Sequence, residues 1–245
     1  MAVNAQTGAS VLINDLDASQ WVTSISARLT RTMVKTSSYG SNAFDNFIPG
    51  MKSGEVAIEG FQDLDASGFY AKINRADMDA SSLVTIIPGV TPTAGDASLL
   101  AYGNLDEMSG HIEGNVGEAN VFTIHQDAGT IIASGPCLHP KATRTTTASG
   151  TAVAIAGPTA TQTLYAALNV VTGTGGTLTV RVQSDDAVGF PTPTTRLTFT
   201  ATTGPTWEIK SVTGSFSSET HLRADWTVSA GTFAFAVVCA VVSNF

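Results

Sequence analysis

Along this 245-residue chain, hydrophobic and polar positions alternate far more often than they recur at helical spacing. Alternation over four to eight residues marks a half-buried strand, whereas apolar residues at i, i+3, i+4 and i+7 mark an amphipathic helix. EVAIEGF at 55–61 sets Val56 and Ile58 on one side and Glu55, Ala57 and Glu59 on the other. TLTVRVQS sets Leu178, Val180 and Val182 against Thr179 and Arg181. TTRLTFT adds Leu197 and Phe199, and HLRADWTV adds Leu222, Trp226 and Val228. About six such strands with regular turn signals predict an antiparallel sandwich at 163–245.

The first half reads differently. VLINDLDASQW and VTSISARLT are apolar, β-branched runs with Asn14-Asp15 as a hairpin-like turn. LVTIIPGV at 83–90 is a strand ended by Pro88-Gly89. Leu99 to Ile132 reads as three or four strands with glycine breaks, placing Glu107, Ser109, His111, Glu113 and Asn115 on one face. One short helix is predicted after Asp65-Ala-Ser-Gly, capped by Asp65 or Ser67, with Phe69 and Ile73 on its inner face. Residues 31–54, RTMVKTSSYGSNAFDNFIPGMKSG, show no stable period and predict a long loop. Loops of that length are usually functional. Phe44, Phe47, Ile48, Pro49 and Met51 would leave an apolar patch there, the mark of an interaction site. Residues 1–10 read as an arm, and the Thr/Ala/Ser/Gly-rich stretch at 141–162 as a linker between domains 1–140 and 163–245.

Composition adds that this surface is polar with little charge. Charged residues make up 13% of the chain, about half the globular norm. That suits an assembled protein, because interface cores are depleted of charge. Residues 1–140 hold 15 Asp/Glu and 6 Lys/Arg, a net of −9; residues 141–245 hold 5 and 6, a net of +1. The acidic half argues against nucleic-acid binding, which needs Lys and Arg at phosphates. No apolar run reaches the roughly 18 residues of a spanning helix, and MAVNAQTGAS is no secretory signal. Cys137 and Cys239 lack metal-type spacing and read as buried free thiols, in keeping with a reducing cytoplasm.

Candidate chemistry is sparse. No phosphate-cradling loop, nucleophile elbow or H-E-x-x-H is present. NDLDASQW at 14–21 echoes as QDLDASGF at 62–69, but the later ligands of a calcium loop are missing, so turn or cap chemistry explains it better. His111, Glu113 and His125 read either as metal ligands sharing a strand face or as a plain polar face, and the polar face explains them better. Asp185-Asp186 reads as a turn rather than an acid–base pair. Trp207 and Trp226 read as core aromatics rather than a sugar platform. The residues imply no enzyme, metal or cofactor.

The ordered set DASQWVTSI (Asp17 to Ile25), FIPGMK (Phe47 to Lys52) and VAIEGF (Val56 to Phe61) resembles the N-terminal half of the major tail tube proteins of long-tailed bacteriophages. The resemblance covers about residues 8–137. It implies a mainly β fold: a tail-tube β-sandwich or half-barrel with one short flanking helix, plus a C-terminal antiparallel β-sandwich on the tube exterior. A second copy of the tube fold is the rival for that domain. It also implies a virion structural protein, assembled in the host bacterial cytoplasm into homohexameric rings that stack into a tube. Its partners would be further copies of itself and the tail tape measure, tail tip and tail terminator proteins. Genomic DNA would pass without specific binding, and no membrane would be involved. Phe44, Phe47, Ile48, Pro49 and Met51 would reach the neighbouring ring. Glu55, Glu59, Glu107 and Glu113 would line the lumen and keep the DNA off its wall. The alternative is a carbohydrate-binding or adhesive β-sandwich of a virion or cell surface.

Overall fold

The computed structural model describes residues 8–35, 47–61, 81–110 and 121–243. All regular structure among them is β. The strands of the first half are β1 (Ala9–Ile13), β2 (Leu16–Asp17), β3 (Val22–Lys35), β4 (Phe47–Phe61), β5 (Ser81–Pro88), β6 (Ala97–Gly110) and β7 (Val121–Arg144). Two short strands follow, β8 (Ala148–Ser149) and β9 (Val153–Ala154). The remaining six are β10 (Gln162–Thr174), β11 (Leu178–Asp185), β12 (Thr194–Thr198), β13 (Thr206–Thr213), β14 (His221–Val228) and β15 (Thr232–Ser243). The helix predicted after Asp65 lies outside the described residues. No helix among the described residues is long and apolar enough to cross a membrane.

The chain divides into two compact units that do not follow the predicted boundaries. One holds residues 1–21, 82–101 and 133–245; the other holds 22–81 and 102–132. The predicted linker at 141–162 is sheet in part: β7 continues to Arg144, and β8 and β9 both pair with β14. Strands of two residues leave no periodicity to read, which is why the sequence shows only small polar residues there.

In the first unit, the sheet runs β13-β10-β15-β7-β6-β5-β1-β2. It curls into a half-barrel. Asn169 on β10 donates through Nδ2 to the Asn14 carbonyl in the β1–β2 turn at 2.7 Å, although β10 and β1 are far apart in the strand order. Asn14 has φ 55 and sits in the two-residue turn that pairs Ile13 with Leu16. Asparagine tolerates that left-handed conformation in tight hairpins. Its Oδ1 accepts from Leu83 N at 2.8 Å, tying the turn to β5.

The β13-β10-β15-β7 side of this sheet also packs face to face with a second sheet, β12-β11-β14-β8, which β9 joins through β14. The predicted alternation is realised. Leu178, Val180 and Val182 of β11 and Leu222, Ala224, Trp226 and Val228 of β14 point into a shared core. Leu164, Ala166, Leu168 and Val170 of β10 and Phe233, Phe235 and Val237 of β15 meet them from the other sheet. Gly135 on β7 serves close approach: a Cβ there would collide with the Cys239 carbonyl.

In the second unit, β4 pairs with β3 over its length and with β7 from Glu55 to Phe61. The predicted loop at 31–54 is therefore largely a hairpin, with Lys35 opposite Phe47, Val34 opposite Ile48 and Met33 opposite Pro49. Residues 36–46, including Phe44, lie outside the described residues. Proline cannot donate to a ladder and is confined to edges and bulges. Pro49 obeys that rule: β7 has no pairing with this part of β4, and the register slips between Arg31 and Met33. The glycines that read as breaks between Leu99 and Ile132 lie instead within two long strands, β6 and β7, among the described residues.

Candidate functional surface

The β4 face is built by the period-2 rule. Val56 and Ile58 are fully buried, and their partners Gln126 and Ile124 on β7 are buried beside them. Glu55 and Glu59 are exposed on the opposite face. Glu55 stands opposite Arg28 on β3, and its Oε1 lies 3.3 Å from His125 Nδ1. Glu59 pairs in register with Thr123, and its carbonyl accepts from Thr23 Oγ1 at 3.3 Å. At the end of this face Phe61 pairs with Val121, and both are exposed. Among the described residues β3 has β4 as its one strand partner, so its outer edge is open.

The remaining predicted site residues are placed as follows. Phe47, Ile48, Pro49 and Met51 are in β4, and Glu107 is in β6, with side chains outside the described parts. Glu113 and His111 lie outside the described residues. His125 faces Glu55, and no group of three metal-binding side chains occurs among the described residues. Asp17 ends β2 and anchors the turn that follows. Its Oδ1 accepts from Ser19 N at 3.1 Å and from Ser19 Oγ, and its Oδ2 pairs with Lys141. Burial pushes the Asp17 carboxyl up, but the Lys141 ammonium and the Ser19 donors outweigh it and hold it below its usual value. Asp185 is likewise a loop anchor, accepting from Ala187 N at 2.9 Å and Thr192 N at 3.0 Å.

The two tryptophans part company. Trp226 is 2% exposed and donates its indole N–H to the Thr146 carbonyl at 3.0 Å. It belongs to the core, as the sequence predicts. Trp207 is half-buried on β13 and lines a shallow cleft of about 270 Å³ with Thr200, Thr202 and Glu208. Cys137 and Cys239 are free and buried, and burial pushes both thiols up, Cys137 to about 12. Thiols so shifted stay protonated and inert.

One cluster had no counterpart in the sequence reading. His139, 2% exposed, is stacked on Phe235 at 4.6 Å and set edge-on to Trp226 at 4.8 Å. Arg144 Nε donates to His139 Nε2 at 2.9 Å. Burial, with Arg144 adding to it, pushes the imidazole down to about 4. Five residues apart, two side chains on a regular strand face opposite ways. Here β7 advances three residues, His139 to Ala142, while β15 advances two, Val237 to Phe235. The bulge flips the parity and brings His139 and Arg144 together. Pro140 inside the strand is the one sequence signal for it.

No protein-family model matches the chain, and no curated protein matches it either. Among solved structures it is similar to the Dit protein of phage SPP1, a hub adsorption apparatus protein of phages that infect Gram-positive bacteria. The TM-score is 0.35 at 12% identity, over 94% of this chain and 98% of that one. It is also similar to a chain of the infectious bursal disease virus Gx strain, with a TM-score of 0.29 at 10% identity, over 99% of this chain and 60% of that one. Neither likeness is close enough to carry a function to this chain.

Proposed function

We propose that this chain is a structural subunit of a bacteriophage tail that self-assembles into stacked rings forming the tube for DNA delivery. The observation that supports this reading best is the β3–β4 hairpin. The FIPGMK and VAIEGF segments that resemble tail tube proteins lie in one long strand, beside a β3 edge open among the described residues. An open edge of 14 residues is a template for pairing with another copy. Ring closure would satisfy those edges and leave the Glu55–Glu59 face to an aqueous lumen. DNA presents a charge about every 1.7 Å of axis, and an acidic wall repels it where a basic wall would hold it. The role is mechanical, with no catalysis, in a virion tail built in the host cytoplasm. Partners are further copies of this chain, with tape measure, tip and terminator proteins at the tube's ends.

Negative-stain microscopy of the purified chain at high concentration tests the assembly. Rings or tubes are expected; monomers under every condition tried would overturn it. Glu55→Lys with Glu59→Lys tests the lumen. Tubes of the double variant should retain double-stranded DNA in a salt-dependent way, and equal release from both tubes would remove these residues from the lumen. The Trp207 cleft favours a second reading, a carbohydrate-binding sandwich. Quenching of Trp207 fluorescence by soluble saccharides, lost in Trp207→Leu, would favour it over the first.

A further inference from the structure

The guanidinium of Arg144 is held on two sides. Its Nε donates to the buried His139, and its Cζ lies 5.1 Å from the Trp226 ring centroid. An imidazole that accepts at Nε2 is neutral and protonated at Nδ1, so it positions the arginine without adding charge. Among the described residues neither Nη of Arg144 has a hydrogen-bond partner. Arg144 lines a cleft of about 360 Å³ with Thr93, His139, Ser149, Thr151 and Trp226, and no carboxylate is among the lining residues. Two carboxylates border the cleft through its lining residues, and neither bonds Arg144. Asp96 accepts from Thr93 N and Oγ1, and Asp225 accepts from Ser149 Oγ and pairs with Arg181 at 3.2 Å.

We propose that this cleft binds a carboxylate, with Arg144 as the receiving fork. A planar guanidinium matches a carboxylate with two parallel N–H···O bonds. One already fixed by His139 and Trp226 loses little further side-chain freedom on binding. A single cation balances a monoanion, not a doubly charged phosphate. The carboxylate is either a free small acid or an Asp or Glu side chain of a second copy, and the chemistry is the same.

Side-chain NMR of the full chain, titrated with sodium propionate at constant ionic strength, tests the site. The Arg144 Nε–H and Trp226 indole N–H resonances should shift saturably, with a Kd on the order of millimolar. Arg144→Gln should abolish the response, and Arg144→Lys, which keeps the charge and loses the fork, should weaken it about tenfold. His139→Phe should weaken it while near-ultraviolet circular dichroism shows the fold retained. Shifts that follow ionic strength alone, that persist in Arg144→Gln, or that inorganic phosphate produces at lower concentration than propionate would overturn the proposal. Sedimentation separates the two sources. If a second copy supplies the group, propionate and Arg144→Gln both dissolve self-association. If a free acid does, propionate binds and the sedimentation coefficient stays put.

Discussion

The sandwich and the β3–β4–β7 sheet bury apolar side chains in different ways. The sandwich packs two of its own sheets face to face, and a single cluster from Leu138 to Cys239 fills the gap between them. The β3–β4–β7 region is one-sided. Val56, Ile58, Phe122 and Ile124 are buried, while Glu55, Glu59, Phe61 and Val121 stand in solvent and one edge is open among the described residues. A region of the first kind derives its stability from within. A region of the second kind leaves surface and backbone available for pairing. The difference also sorts mutations: large costs belong to the buried positions of the sandwich, and small costs to the exposed face of β4 that carries Glu55 and Glu59.

The largest expected effect tests that division directly. Trp226→Ala empties the centre of the cluster and should cost about 3–5 kcal/mol, read as a lower denaturant midpoint. A cost below about 1 kcal/mol would mean that Trp226 does not fill the centre of the cluster. Next comes acid. His139 titrates at about 4 in the fold against 6.5 unfolded, so the unfolded chain binds the extra proton in between. Stability is therefore full above pH 6.5, falls as pH drops, and levels off below about 4, a loss of about 3 kcal/mol. His139→Phe should flatten that segment of the pH profile. Asp17→Ala frees Lys141 and the β2 turn, at about 1–2 kcal/mol. Because that carboxyl is held low, the Asp17 contribution is present at neutral pH and is lost as pH falls below 3.8. The smallest effect is Glu55→Gln with Glu59→Gln, expected within about 0.5 kcal/mol of the parent. A larger loss would show that the acidic face is part of the fold and not a free surface.

Legibility followed local regularity. The alternation in β11 and β14 and the Asn14-Asp15 turn were readable because each is fixed by a few neighbouring residues. The pairing of 31–35 with 47–52 was not, because Pro49, Gly50 and Gly54 carry no strand preference of their own. Gly54 is there because a Cβ would overlap the Ile132 side chain, a neighbour 78 positions away. The extent of β6 and β7 was hidden by glycines, and β8 and β9 by their brevity. The Arg144 cleft depended on a bulge that reverses which way side chains face. Period counting cannot anticipate that, and Pro140 hinted at it.

The two thiols have a use that depends on where they sit. Cys239 belongs to the cluster inside the sandwich, with Leu138. Cys137, one residue before Leu138, is buried on the other side of the same sheet. Neighbours across β7 and β15, they point away from each other, so no disulfide joins them without unravelling a strand. The sheet thus carries one silent reporter on each face. Pulsed alkylation followed by mass spectrometry would time their exposure separately and show which layer lifts away first.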